Sequence, residues 1–511
     1  MMAVAAATDY WPIRPPMVRG FRRAKWCRIT LVSVTLACGL IAWTAASAED
    51  TLSSHIPLLR DALANDEKTP ASNPKPDLSA KIEARKSYSI PAFEILGEEL
   101  LLNQINRRRA NGGDYMSNMS TVRSNLRSSW ANDDDPFKTN QLGHPYQGAI
   151  YHGFARSAGL NYWEALGYDF AGSALWEIAG ERVPPSKNDQ IMTAFGGSFL
   201  GEALFRMSSM VLEHGNNVPQ WWRETGAAVI SPPTGFNRMA FRSRLNSIFA
   251  SRDPEYYSRL QLGFSGTAHN GQDASTTTFK RNEALIDYSM DYGLPGKPGY
   301  SYTRPYDYFN FQITASSANG FENVMTRGLL VGKDYEEGSS FRGVWGLYGS
   351  YDYIAPQIFR ISTTAVSLGS NGQWQLSDSI ALQGSGLLGM GYAAAGSIGG
   401  DASERDYHYG VTPQALISTR LILGDRASFD VTAREYFVNG AANRTGHDNI
   451  VRLDASFSVR VHQQNAITIK YLLNRRDASF PDQSSRTQSR GTIGIFYTFM
   501  GHSRFGAVDW K

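Results

Sequence analysis

Strict alternation of apolar and polar residues dominates the second half of the chain. In VRLDASFSVRVH, Val451, Leu453, Ala455, Phe457, Val459 and Val461 alternate with Arg452, Asp454, Ser456, Ser458, Arg460 and His462. In FNFQITAS, Phe309, Phe311, Ile313 and Ala315 alternate with Asn310, Gln312, Thr314 and Ser316. Successive side chains of a strand point to opposite faces, so this pattern predicts strands with one apolar and one wet face. A soluble sandwich alternates too, but over runs of about 5–6 residues. Here many runs hold the pattern for about 9–11 residues or more, the length a membrane-crossing strand needs. The segments fall near 256–268, 278–292, 306–318, 321–334, 340–353, 357–369, 373–392, 406–423, 426–439, 449–462, 465–475 and 490–500. They predict an antiparallel transmembrane β-barrel of about twelve strands over 255–511, an even number as in bacterial barrels.

Charge fixes the parity. With the apolar set toward lipid, Asp287, Asp291, Asp352, Arg360, Asp406, His408, Arg420, Asp430, Arg434, Arg452, Asp454, Arg460 and Lys470 fall inside. The reverse parity would put Arg and Lys into hydrocarbon at about 2–4 kcal/mol each near the midplane. Mixed signs inside predict a cross-linked lumen or a narrow polar pore, since about twelve strands leave little room for a wide one. Barrels of this class end on an aromatic residue, for which Phe499 is the natural choice. The chain nevertheless runs on to Trp510 and Lys511, which leaves the closing strand's position open.

Upstream, residues 138–230 change to a helical pattern. Pro145 suits the first position of a helix, and the residue before a proline is pushed out of helical geometry, so His144 is expected at the cap. Gly159 then ends that helix. NYWE starts the next as a capping box, Asn161 capping and Glu164 answering; PPSKND repeats the device with Ser186 and Asp189. A third helix is expected from Lys187 to Glu213. Glu202 and Arg206 interrupt its apolar run at about 2.5–3.5 kcal/mol each in hydrocarbon, and their spacing lets them pair. Gly197 and Gly201 offer a flat face for close helix contact. Such a helix is built to be buried by protein, in the lumen or against its periplasmic mouth, as a plug-like region of three helices.

Glu177 and Glu181 remain unexplained by folding alone. Like charges four apart repel, and negative charge near a helix C-terminus opposes the dipole. Arg182, Arg206 or Arg156 could neutralise them. Otherwise they form a site with His144, acid/base in character or holding a metal shared with His144 or His152. The chain has no HExxH, no GxSxG and no spaced His cluster, so no cofactor or metal is assigned. Glu177, Glu181 and His144 are the catalytic candidates. His152, Arg156, Asp189, Glu202, Arg206, Asp352, Arg360, Asp406, His408 and Arg434 are candidates for a ligand-binding or lumen polar network.

The N-terminus reads as an address. Arg19, Arg22, Arg23, Lys25 and Arg28 precede an apolar run from Ile29 to about Trp43, and Ala46-Ser47-Ala48 supplies a small-residue cleavage pattern. We read residues 1–48 as a secretory signal cut before Glu49, with Met17 as an alternative start. A permanent anchor would need about 20 apolar residues, and Thr35 argues against lipidation at Cys38. Cys27 and Cys38 both lie in the signal, so the mature chain is expected to lack disulfides. Residues 49–137 read as a flexible periplasmic segment with a linker at 65–77 and one helix from Ile90 to Ile105.

Composition agrees. Charged residues are 19%, below the about 25% of soluble proteins, while aromatics reach 12%. A mean hydropathy of −0.33 excludes a bundle of membrane helices. The net charge of +3 and the lack of any basic-aromatic pattern give no reason to expect nucleic acid.

NQLGHPYQGAIYHGFARS, WEIAGERVPPSKNDQIMTAFGGSFLGE and, later, YDYIAPQIFRIS, GMGYAAAG and RDYHYGVTPQA together resemble a family of Gram-negative envelope proteins known only as a domain of unknown function. The resemblance spans about 138–500. It implies an outer-membrane-type barrel preceded by helices, with outer-membrane lipid and the barrel-assembly machinery as partners, and it carries no established activity. The Glu-Gly-PPSxxD arrangement is also loosely similar to a carboxylate-bearing helical hairpin of some integral membrane proteins. Two functions follow. One is a structural or transport-related role in the outer membrane that handles a small or lipidic ligand. The other is a barrel enzyme acting on lipid or cell-wall material through the helical carboxylate and histidine residues.

Overall fold

The computed structural model describes residues 86–109, 113–214, 218–242, 244–271, 281–398, 403–440, 445–481, 483–501 and 504–509. The expected signal, its cleavage before Glu49, both cysteines and the linker at 65–77 lie outside the described residues.

Twelve strands form one closed antiparallel barrel. They are β1 Tyr256–Gly271, β2 Asn282–Tyr292, β3 Phe309–Ser316, β4 Asn323–Glu337, β5 Phe341–Ile354 and β6 Phe359–Ser377. Then follow β7 Ile380–Ser397, β8 Tyr407–Leu423, β9 Ala427–Asn439, β10 His447–His462, β11 Asn465–Phe480 and β12 Gln483–Met500. Closure is made by β12 on β1, where Phe499 faces Leu260. The strand ends depart from expectation most at β6. The expected segments 357–369 and 373–392 break at residues 370–372, but these lie inside the strand, where Gly369 and Gly372 face Gly346 and Gly343 of β5. The turn falls instead at Asp378 and Ser379.

The lumen is cross-linked by charge, as the parity argument required. Arg420 reaches Asp430 at 2.6 Å and Asp291 at 3.0 Å, and Arg259 reaches Asp430 at 3.3 Å. Lys470 lies 3.3 Å from Asp454 and 3.7 Å from Asp287. Of these, all but Asp287, with Arg327 and Arg434, surround a polar cavity of about 130 Å³. The chain beyond β12 returns to fill one mouth. Gln373 and Gln383 donate to the carbonyls of Val508 and Gly506 at 2.8 and 2.6 Å, and Phe505 and Val508 pack among Tyr257, Leu294, Ile422 and Met500. Toward the other mouth Ile358, Phe359, Tyr436, Val438 and Ile450 form an apolar layer.

The outward face of the wall carries an apolar belt. Leu262, Phe264, Leu388, Met390, Ile417, Phe457, Ile469, Ile493 and Ile495 are all exposed on it.

Helices precede the barrel: α1 Ser89–Arg109, α2 Met119–Asn125, α3 His144–Ser157, α4 Tyr162–Leu175, α5 Lys187–Ile191, α6 Gly197–Glu213, α7 Gln220–Ile230 and α8 Pro232–Ala240. The π turn Met192–Gly196 joins α5 to α6, so the expected helix from Lys187 to Glu213 is continuous. Its two glycines do meet a neighbour closely, since a Cβ on Gly197 would fall 2.5 Å from the Gly148 Cα of α3.

The helices take neither of the positions expected for a plug. β7 and β8 pair without a register shift from Ile380↔Leu423 to Gly396↔Tyr407. Even positions of β8, including Leu416, Ser418 and Arg420, line the lumen cavity, so Tyr407 and Tyr409 point outward. Both bond to Asn140 of the helical part. By the same parity Gly349 and Tyr351 of β5 point outward, and they meet Phe199 and Gln141. The helical domain is therefore clasped to the outside of the wall, with α6 against β4 and β5. Phe199, Leu200, Ala203 and Met207 share a core there with the outward Tyr288, Met290, Phe309, Phe311 and Ile313. The physical reason is that the lumen is already full of its own charges, whereas the wall offers an apolar face to an apolar helix.

Candidate functional site

Two buried polar centres occupy the helical domain. The first is built on Glu202 of α6. Its carboxylate accepts from Arg156 Nε at 2.6 Å, Arg206 Nε at 2.8 Å and His152 Nε2 at 3.1 Å. His152 Nδ1 lies 2.7 Å from Asp169, and Arg206 reaches Asp307 of the β2–β3 loop at 3.1 Å. Burial opposes charge on Glu202, yet Arg156, His152 and Arg206 together hold its carboxyl well below the usual range. Asp169 is pushed up to about 6 by burial, against the pull of His152. This centre ties α3, α4, α6 and a barrel loop together with each charge matched.

The second centre gathers Glu177, Glu181, Asp189 and His144, all singled out in the sequence. Three π turns assemble it: Thr139–Gly143, Trp176–Gly180 and Met192–Gly196. The π helix accounts for well under 1% of residues in globular proteins and recurs at functional sites, so three around one centre argue for a purpose beyond packing. The first turn corrects the sequence reading of His144. That residue is helical (φ −61°, ψ −47°), and its N–H bonds to the Thr139 carbonyl. Pro145 cannot donate to the Gln141 carbonyl four residues back; the outward hydroxyl of Tyr351 donates to it instead at 2.6 Å. The wall thus permits a proline that local rules would place at a helix start.

Glu177 lies on the second π turn, 1% exposed, and accepts the Ser186 N–H at 2.7 Å. The capping-box pattern predicts that answering role for Asp189. Ser186 does cap Asp189 N–H at 3.2 Å, but it is Glu177 that answers. Glu181 is extended and accepts from Trp176 Nε1 at 2.8 Å. Asp189 accepts from Asn188 at 2.9 Å and lies 4.0 Å from His144 Nε2, while His144 Nδ1 contacts Thr193 Oγ1 at 3.2 Å. Asn188 donates to Tyr409 Oη at 2.7 Å and accepts the Asp133 N–H at 2.8 Å. Asn140 donates to Asp133 at 2.9 Å.

The neutralisation by arginine expected for this pair does not occur. Arg156 and Arg206 are engaged by Glu202, and Arg182 is exposed. Among the described residues no Arg or Lys pairs with Glu177, Glu181 or Asp189. Burial, then repulsion from Asp189 and Glu181, raises the Glu177 carboxyl. Burial raises Glu181 against the pull of His144, and burial with the nearby Asp133 raises Asp189 far above the carboxylate range. Burial lowers His144. Burial therefore favours protons on Glu177 and Asp189 and a neutral imidazole, while Glu181, raised to about 7, exchanges its proton near neutral pH, a set able to donate and accept protons there. Among the described residues no group of three or more His, Cys, Asp or Glu is placed to hold a metal ion.

The remaining candidates scatter. Asp352 bonds to Arg327 and Tyr436 inside the lumen, Arg434 lines the lumen cavity, and His408 lies 3.6 Å from Asp448 there. Arg360 and Asp406 are corrections. Arg360 occupies an outward position of β6 and stacks on Phe137, and Asp406 precedes β8 and caps Ser403 N–H. Neither is in the lumen: Arg360 avoids lipid because the helical domain covers it. Sequence reasoning missed Asp133, Asn140, Asn188, Tyr407 and Tyr409. Asp133 lies in the polar run ANDDDP, which carries no chemical motif, and only the RDYHYG motif pointed toward the tyrosines.

Fold and site define a closed twelve-stranded antiparallel barrel that carries an acid-rich helical domain on its outer wall. Residues 129–233, which include Glu202 and Glu177, match the family described as Domain of unknown function (DUF3943). No curated protein matches the sequence. Among solved structures the chain is similar to the NanC porin at 8% identity and a TM-score of 0.23, covering 47% of this chain and 98% of that one. It is similar also to the outer membrane channel DcaP of Acinetobacter baumannii (8%, 0.22, 48% and 96%). A third is the TodX monoaromatic hydrocarbon channel (10%, 0.21, 54% and 94%). Likeness this remote carries no function; the architecture rests on the strand pairing.

Proposed function

We propose that the protein is an outer-membrane barrel whose lumen is a structural post and whose helical domain handles a small or lipidic ligand at the Glu177 centre. The apolar belt supports the membrane setting, because exposed Phe457, Ile469 and Ile495 would be unfavourable in water at about 25 cal/mol per Å². The filled mouth and paired lumen charges weigh against free diffusion through the barrel. The observation that carries the reading is the uncompensated set of Glu177, Glu181 and Asp189 beside His144. Mere packing would pair or replace these acids, since holding a buried carboxyl protonated at neutral pH costs about 1.4 kcal/mol for each pH unit above its unfolded pKa. An enzyme acting on lipid or cell-wall material is the form this reading takes if His144 and the acids move protons during turnover.

The test uses protein purified from envelopes in mild detergent, with bound small molecules and lipids identified by mass spectrometry. Glu177→Gln with Glu181→Gln, and separately His144→Ala, should keep heat-modifiable gel mobility and lose a bound species that the wild type retains. Folded variants with the same bound species and an unaltered envelope phenotype would remove the site. Single-channel recording addresses the transport reading: steady conductance through the wild-type barrel would favour it over a structural lumen.

A further inference from the structure

Helix α1 is built inside out. Its protein-facing positions include Glu94, Glu98, Glu99 and Asn103, whereas Phe93, Leu96, Leu100 and Leu101 face outward at 72, 42, 61 and 62% exposure. A surface helix in water turns its apolar stripe inward. Among the described residues both carboxylate oxygens of Glu94, which neighbours Asn237, and one of Glu98 are buried without a hydrogen bond, and Glu99 accepts from Tyr151. Burial raises all three carboxyls, to about 8, 7 and 9, so the inward face is largely uncharged at neutral pH. The arrangement suits an apolar exterior and penalises an aqueous one.

The wall shows what that exterior is. On β1, Leu262 and Phe264 are exposed, and past the helical domain Val331, Trp345 and Leu347 are exposed again. Between them the outward Tyr288, Met290, Phe309, Phe311, Ile313 and Val324 are buried. The covered row begins one outward position from the belt, because Leu262 pairs with Ile286 and Leu260 with Tyr288. The belt is thus interrupted between Ile286 of β2 and Val331 of β4, both exposed, and the helical domain stands in the gap. α6 packs on the wall, α3 packs on α6, and α1 packs on α3 and α4. Whatever surrounds the belt on either side meets this outer layer in between.

We propose that α1 is a lipid-contacting helix: Phe93, Leu96, Leu100 and Leu101 lie against the acyl chains of the bilayer around the barrel, so that the helical domain completes the lipid-facing perimeter over β2–β4. No helix among the described residues is long and apolar enough to cross a membrane; α1 needs only to lie along one, with its carboxyl positions turned to the protein.

Single cysteines at Leu96, Leu100, Phe457 and Asp134, on a full chain with Cys27→Ser and Cys38→Ser, carry a polarity-sensitive fluorophore in phosphatidylcholine vesicles. Quenching by doxyl-labelled acyl chains is compared with quenching by aqueous iodide. The probes at 96 and 100 should follow the belt probe at 457, several-fold more sensitive to doxyl than the exposed probe at 134. Iodide sensitivity like that at 134, with 457 still doxyl-quenched, would show α1 facing water and overturn the inference alone. Protection from both quenchers, with cross-linking between copies through Leu96→Cys, would assign the face to a second chain and also overturn it. Iodide access at 457 would remove the membrane barrel itself, a separate failure visible in the same data.

Discussion

Around Glu202 two guanidiniums and an imidazole lie within 3.1 Å of one carboxylate. Around Glu177 three further acidic side chains influence the carboxyl, and its hydrogen bond comes from a backbone amide. Both clusters are buried in the same helical domain. One is solved by pairing and the other by retaining protons. Pairing fixes helices to each other and to the barrel loop at Asp307. Retained protons fix nothing, and their charge state changes with the surroundings. Arginines lie close by at Glu202 and none pairs with Glu177 among the described residues, the contrast on which the proposed site rests. The lumen follows the Glu202 pattern, with Arg420 and Lys470 each shared between two aspartates.

The comparison breaks most visibly at Glu202. Glu202→Ala strands two buried guanidiniums, and losing one partner of a buried pair costs about 3–5 kcal/mol. The helical domain should become sensitive to limited proteolysis and melt earlier, while the barrel keeps its heat-modifiable mobility. A variant as protease-resistant as the wild type would mean that the ion network is dispensable. A smaller effect is expected where the wall supports the second centre. Tyr351→Phe leaves the buried Gln141 carbonyl without its donor, a loss of about 1–3 kcal/mol, and loosens the π turn that presents His144. Hydrogen exchange confined to residues 139–145 would report it; uniform exchange would not.

How much of this was legible depends on which neighbour decides. Period 2 and the cost of charge in lipid were enough to orient the strands, and Phe457 and Ile313 share the outward parity. Yet Phe457 is exposed and Ile313 is buried beneath helices, because alternation reports a face and not what covers it. The same blindness put Arg360 into the lumen. His144 and Pro145 obeyed a tertiary donor, Tyr351, some two hundred residues away, which no local rule contains. The carboxylates and His144 were visible as misfits of helix electrostatics, and they do converge. Their supposed arginine partners were equally visible but belonged to Glu202, and only the three-dimensional packing of α3 on α6 assigns them.

The smallest change in stability, and the sharpest in sign, is expected from Glu177→Gln with Glu181→Gln. The amides keep the acceptors for Ser186 and Trp176, so below the ordinary carboxyl range, where both acids are protonated folded and unfolded, stability should shift by no more than about 1 kcal/mol, the worth of one ordinary hydrogen bond, and the variant should gain on the wild type as pH rises. The pH dependence separates the two centres. Burial places the Glu181 carboxyl at about 7, above its ordinary 4.5. The folded state therefore binds a proton that the unfolded state has already released, and stability falls as pH rises through that window. Glu177 and Asp189, also raised, extend the loss toward alkali. Glu202 is displaced the other way, so its contribution is present at neutral pH and disappears as pH falls below the ordinary carboxyl range. Melting of the helical domain should accordingly show two flanks: an acid one that the Gln pair leaves in place, and an alkaline one that it flattens. An unchanged alkaline flank in the double variant would mean that Glu177 and Glu181 are ionised after all, and the contrast between the two centres would disappear with their protons.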